Sequence, residues 1–312
     1  ILNSTKKATV SLIYVGLFIL PFIAAIWSPK LHRMTGKSKY VWAAIWAYVL
    51  ILLGFLWLSG QRLPLIDNIL MNSGLGPLTI RDTFNLKLNI PAISDGVVFV
   101  WDVVTFFSVV SAGIAIYLIG LATKQAWLKF WSIETRAEAA PYALLVAIAF
   151  TYLAILLIVV GRFTLFDRYL LIFLPLVVLL IAAVKYTQTD AQKTRSVVPI
   201  VVLALYAAFS VGATHDYLDW NRTRWVALHD LVNVNKISPK KIDGGYEFNG
   251  WLLYDKKYKQ SPAKSWWWVV DDEYVLAAGP LPGYTEVKRY PVNRWLKLTA
   301  SDIIVLRRIP RL

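Results

Sequence analysis

Six runs of this chain are long, apolar and nearly free of charge: residues 8–27, 40–59, 97–121, 142–160, 168–184 and 197–212. A helix needs roughly 20 such residues to cross the hydrocarbon core of a bilayer. The runs are apolar all round, whereas a soluble amphipathic helix keeps one polar face. Of the 312 residues, 57% are hydrophobic and only 17% charged. A soluble fold of this length has too little interior to hide that much apolar surface. The expected fold is a polytopic α-helical membrane protein of about six spans. The last two runs are short and leave little room for tilt.

The connections between runs set the expected orientation. Residues 28–39, 122–139 and 185–196 are short and carry Lys30, Arg33, Lys37, Lys39, Lys124, Lys129, Arg136, Lys185, Lys193 and Arg195. They alternate with residues 60–96 and 161–167, so all three basic connections fall on one side, expected to be the cytoplasm. Residues 60–96, residues 161–167 and everything after 213 are then expected outside. Lys6 and Lys7 fall on the wrong side of this scheme. The net charge of +14 reads as topology and attraction to anionic lipid; no nucleic-acid partner is expected. The chain starts at Ile1 without a methionine, and further residues upstream are expected.

After residue 213 the composition becomes mixed, charged and aromatic, so residues 1–213 read as a transmembrane domain and 214–312 as a small extracytoplasmic α+β domain. Tyr217, Trp220, Trp225, Leu228 and Leu231 recur at helical spacing. Turn signals follow at Pro239 and the Gly244–Gly245 pair. Strands are expected over residues 246–254, 265–270, 273–278, 285–290 and 303–308.

Motifs of soluble enzymes are missing: the chain has no P-loop, GxSxG, HExxH or EF-hand loop. There is no cysteine, and His32, His215 and His229 are scattered without metal-ligand spacing. No metal site and no cofactor are expected, although the sequence leaves a carboxylate-bound divalent cation open. What remains is charge near the expected outer face. Arg162, Asp167 and Arg168 bracket the start of the fifth run, Asp102 lies just inside the third, and Arg81 and Asp82 sit in the 60–96 connection. Ionisable residues at this depth usually face a cavity or a partner, and the planar fork of arginine suits phosphate. Two readings of Arg168 stand: a side chain snorkelling to a headgroup, or a contact to a particular lipid phosphate. Arg162 reads first as an interfacial anchor, and Asp102 as a partner for an arginine ahead of a catalytic group; for Arg81 with Asp82 a turn pair and a functional role both stand, and Asp102, Arg81, Asp82 and Asp167 form a possible outer-face site. Trp266, Trp267 and Trp268 read as packing rather than as sugar-stacking groups.

The segment "FDRYLLIFLPLVVLLIAA" (166–183) resembles the RYLLPLLP segment of bacterial multi-pass glycosyltransferases of the GT-C superfamily. The nearest likeness is to family 39, the protein O-mannosyltransferase and aminoarabinose transferase-like proteins. "GLGPLTIRDTF" (74–84) and "DYLDWNRTRW…IDGGYEFNGW" (216–251) resemble further segments of bacterial members. The resemblance implies an enzyme of the bacterial cytoplasmic (inner) membrane. It would take a sugar from a polyprenyl-phosphate donor and pass it, on the outer face, to a lipid, glycan or protein. It also implies that Arg168, with Arg162 second, contacts the carrier phosphate. The acidic base of the family lies in a first outer loop after the first helix. The segment "GPLTIRDTF" belongs to the later half of the pattern, so Asp82 is not assigned that role and the catalytic residue is unknown. This implies a partner chain or upstream residues supplying an N-terminal half. The alternative is a non-catalytic structural or accessory subunit derived from the family. A transporter is ranked last, because no matched pair of broken helices recurs in two repeats.

Overall fold

The computed structural model describes residues 2–26, 39–58, 95–132, 134–162, 167–186, 197–259, 268–296 and 302–310. These fall into two compact units, the first running to Ala207 and the second starting at Ala208.

The first unit is helical. It comprises α1 (Leu2–Ile26), α2 (Lys39–Leu58), α3 (Asp95–Trp131), α4 (Arg136–Arg162), a 3-10 turn (Asp167–Leu170), α5 (Phe173–Tyr186) and the start of α6 (Val198–His229). Helix α3 has 37 residues, about 55 Å at 1.5 Å per residue, and packs against α1, α2, α4 and α5. The shared core takes Val10, Ile19 and Ile23 from α1, Ile114 and Leu118 from α3, Leu156 from α4, and Val177 and Ile181 from α5. Many large apolar side chains face outward: Trp57 and Leu58 are 83% and 86% exposed. Water would penalise such a surface, and lipid covers it at no cost. Five described helices are long and apolar enough to cross a membrane.

Two local devices hold these helices together. Where α1 meets α3, Gly16 faces Ser108 and Ala112; a Cβ at Gly16 would stand 2.1 Å from the Ser108 carbonyl oxygen and 2.9 Å from Ala112 Cβ. Small residues that let backbones meet are the usual basis of helix pairing in lipid. The second device concerns Pro21, inside α1. Proline has no N–H, so the carbonyl four residues back, that of Leu17, loses its helical donor. The Tyr206 hydroxyl of α6 donates to that carbonyl at 2.5 Å. The helix therefore runs through its proline with the freed carbonyl satisfied, as an apolar setting requires.

The expected fifth span is not one continuous helix. The 3-10 turn comes first, Leu171 and Ile172 form a turn, and α5 starts only at Phe173. Pro175 favours the break: it cannot donate to the Leu171 carbonyl, and in a continuous helix its ring would crowd that carbonyl. The 14 residues of α5 reach about 21 Å, so this helix alone is shorter than the hydrocarbon core.

The second unit is a mixed α/β structure. Gly212, Asp216, Trp220, Arg224, Ala227 and Leu228 of α6 are buried and form a stripe at i, i+4 spacing. The helix closes through a π turn (Asp230–Val234). Asn235 N–H donates to the Asp230 carbonyl at 2.8 Å and Ile237 N–H to the Leu231 carbonyl at 3.0 Å. Between them Lys236 turns left-handed, with φ 57°. A 3-10 turn (Pro239–Lys241) leads to β1 (Ile242–Asp243), α7 (Tyr246–Leu253), β2 (Tyr274–Ala277), β3 (Tyr284–Tyr290) and β4 (Ile303–Arg308). The sheet order is β1-β2-β4-β3, with β1 parallel to β2 and the other pairs antiparallel. One face of the sheet packs Ile242, Leu276, Ile303 and Val305 against Trp220, Leu228, Leu231 and Phe248.

Residues 246–254, expected as a strand, are helical over α7. A strand would send Phe248 and Asn249 to opposite faces, whereas both are buried here. Gly245, at φ 91°, makes the entry that no side-chain-bearing residue adopts readily. Of the strand expected over 265–270, the first three residues lie outside the described residues. Trp268, at φ 60°, has a backbone that a strand ladder does not accept.

Candidate functional site

The charged connection between α4 and α5 gathers three of the residues singled out from sequence. Arg162 is the last residue of α4, and Asp167 and Arg168 are the first two of the 3-10 turn. The turn is fixed from its other end. Leu170 is 3% exposed and packs into the helical core. The Tyr152 hydroxyl of α4 donates to the Tyr169 carbonyl at 2.6 Å, and its ring stacks on Phe173 with centroids 6.5 Å apart. Within this non-helical turn one residue is thus buried and one carbonyl is bonded. Tyr152 also belongs to an exposed, largely apolar face of α4 with Ala147, Ile148, Thr151 and Ile155. These positions repeat as i, i+1, i+4, i+5 and i+8, one face of the helix.

Asp102 is exposed on the second turn of α3, on a different helix from the other three. Arg81 and Asp82 lie outside the described residues, as do Trp266, Trp267 and the 59–94 part of the long connection.

The second unit holds polar groups that sequence reading did not single out. Asp216, 1% exposed, accepts from the backbone N–H of Trp295 at 2.7 Å and of Leu296 at 3.1 Å. His215 Nδ1 lies 3.1 Å from the same carboxylate, and its ring stacks on Trp295 at 3.9 Å. One turn on, Asp219 accepts the Asn293 N–H at 2.8 Å. Two carboxylates of α6 thus hold residues 293–296 by their backbone. Arg224, also buried, bonds Glu247 at 2.7 Å and lies over the rings of Trp220 and Trp225. Asp243 accepts from Asn249 Nδ2 at 2.8 Å and from Gly245 N–H at 3.3 Å. Asn249 in turn accepts the Gly244 N–H at 3.1 Å. Glu273 receives Lys241 and Arg307 at 2.9 and 3.1 Å. The Lys241 hydrogen bond, offset in part by burial and joined by Arg307, holds its carboxyl below the usual range. The carboxylates of Asp216, Asp219 and Glu273 are matched by donors fixed in the same fold, which suits them to bracing rather than to proton transfer. The signal for Asp216 and Arg224 was present in the chain: both sit four residues from apolar members of the α6 stripe, where a solvated charge does not belong. Among the described residues, no group of three or more His, Cys, Asp or Glu is placed to hold a metal ion.

Comparison of the chain with models of protein families, with curated proteins and with solved structures finds no match. The 3-10 turn that carries Asp167 and Arg168 lies between two apolar helices, and Tyr152, which bonds the turn at Tyr169, belongs to the apolar face of α4.

Proposed function

We propose that the chain is the later part of a glycosyltransferase that uses a polyprenyl-phosphate-linked sugar and works at the outer face of a bacterial cytoplasmic membrane. One observation carries the reading. The turn that bears Asp167 and Arg168 is pinned by buried Leu170 and by the hydrogen bond from Tyr152 to Tyr169, and Tyr152 is part of an exposed apolar face of α4. A pinned turn holds the backbone of its arginine in one place, which catalysis by charge stabilisation requires.

In the proposed reaction an acceptor hydroxyl attacks the anomeric carbon of the sugar. The bond from that carbon to the phosphate oxygen breaks, and the lipid phosphate leaves with the bonding pair. The acceptor proton passes to an acidic base supplied by an N-terminal half, from upstream residues or a partner chain. Arg168 is assigned to the charge that grows on the departing phosphate, with Arg162 second, and the apolar face of α4 meets part of the polyprenyl tail. The acceptor is a lipid, a glycan or a protein.

The test is transfer from a polyprenyl-linked sugar by the intact protein with any partner chain. Losing one donor to a developing oxyanion costs about 10²–10³ in rate, so Arg168→Ala is expected to fall in that range. Arg168→Lys should keep part of the rate and Arg162→Ala most of it. Unchanged transfer by Arg168→Ala refutes the phosphate role. A complex that fails to assemble without this chain, yet carries out transfer unaffected by Arg168→Ala, favours the accessory-subunit alternative.

A further inference from the structure

The end of α7 and the turn after it expose an unusual succession of side chains. Trp251 is 78% exposed, Leu252 53% and Tyr254 65%. Lys256, Lys257 and Lys259 follow within the next five residues, all on the surface. The lysines are not on a loose strand of chain. Lys257 N–H donates to Asp255 Oδ1 at 2.8 Å, and Tyr258 N–H to the Asp255 carbonyl at 3.1 Å. The Tyr258 hydroxyl donates to the Val269 carbonyl at 3.2 Å. On the inner side Trp251 leans on Trp225 at 5.5 Å between ring centroids, while Phe248 and Asn249 anchor the helix in the unit's interior.

We infer that this patch is a docking surface for an anionic bilayer, with Trp251, Leu252 and Tyr254 entering the headgroup region and Lys256, Lys257 and Lys259 meeting lipid phosphates. Tryptophan and tyrosine place an amphipathic ring at the depth where water gives way to hydrocarbon. Leucine beside them gains from acyl chains and from nothing in a soluble polyanion. Three lysines against the single Asp255 give the rim the sign that attracts anionic lipid, in a chain whose net charge is +14. The inference rests on the apolar helices holding the chain in a bilayer and is independent of the proposed sugar transfer.

The chain has no cysteine, so a single one can be introduced and spin-labelled in the full-length protein. Leu252→Cys reports the patch and Val287→Cys, exposed on β3, reports open surface. Both are reconstituted in nanodiscs of phosphatidylglycerol mixed with phosphatidylcholine, and of phosphatidylcholine alone. Collision with oxygen is compared with collision with a water-soluble nickel chelate. In the anionic discs the label at 252 is expected to favour oxygen by severalfold over the label at 287. That preference should shrink in phosphatidylcholine alone, and in Lys256→Glu/Lys257→Glu/Lys259→Glu, whose surface sites leave the fold intact. The label at 287 monitors folding in every sample. Equal, water-like collision at both positions overturns the inference. So does shielding of position 252 from both reagents, which means a protein covers the patch, and so does a preference indifferent to lipid charge and to the lysines.

Discussion

The Tyr206 hydroxyl that reaches into α1 allows a sharp test of how the helical unit is held. Tyr206→Phe removes the only donor described for the Leu17 carbonyl, at 2.5 Å, and keeps the ring. An unsatisfied buried carbonyl costs about 1–3 kcal/mol, but hydrogen bonds between helices in lipid average about 0.6 and reach about 1.7 kcal/mol. A loss of about 1.5 kcal/mol is expected, because proline leaves this carbonyl no helical alternative. Pro21→Ala restores an N–H four residues on from Leu17. In that background Tyr206→Phe should cost about 0.5 kcal/mol, giving a coupling near 1 kcal/mol in a double-mutant cycle. Reversible unfolding of the four proteins in mixed detergent micelles measures it. If Tyr206→Phe costs the same with the proline in place as in the Pro21→Ala background, the carbonyl freed by proline is not what the hydroxyl serves, and the argument fails.

Other outcomes follow from the same kind of reasoning. Gly16→Val should loosen α1 from α3, because a Cβ there meets a backbone oxygen at 2.1 Å; a loss of about 2–3 kcal/mol is expected for such overpacking, read in the same unfolding assay. Asp216→Ala removes charge-assisted bonds to two backbone N–H groups. A local loss of about 3 kcal/mol corresponds to roughly 100-fold faster hydrogen exchange at Trp295 and Leu296, while exchange in β2 changes far less. Glu273 is held below its ordinary pKa first by Lys241. Its contribution is therefore full above the unfolded value of about 4.3 and is lost as pH falls through the lower folded value. Glu273→Gln should flatten the acid-side decline of protection in β2, and an unchanged slope would show that the Lys241 pair contributes nothing there.

Hydropathy made most of the helices legible, because an apolar stretch of about 20 residues has few other uses. It did not reveal that the stretch beginning at Arg168 is broken. That depends on Pro175, which hydropathy counts as one more neutral residue and which acts through a missing N–H. Pro21 has the same defect inside an unbroken helix, where Tyr206, 185 positions away, bonds the carbonyl it frees. No local reading connects those two residues. In the second unit the strand over 303–308 coincides with β4, since four successive buried residues mark a central strand. Residues 246–254 went wrong because aromatic and aliphatic spacing outweighed the Gly244–Gly245 entry and the hydrogen bonds of Asn249. Of the candidate site, Arg162, Asp167 and Arg168 share one connection, as their spacing requires. Asp102 stands on another helix, and Arg81 with Asp82 lies outside the described residues.

The shortness of α5 bears on how the protein is made. Its 14 residues are too few to span on their own, and a segment of that kind partitions weakly when the translocon offers it to lipid. Its inward side carries Val177, Leu180 and Ile181, and it packs against α1, α3 and α4. Those helices precede it in the chain and leave the ribosome before it. Entry of α5 thus depends on a cleft its elders have formed, and synthesis order becomes assembly order. A lesion in α1 or α3, such as one at Gly16, would surface during biogenesis as a mis-threaded C-terminal half before it was seen as a less stable protein.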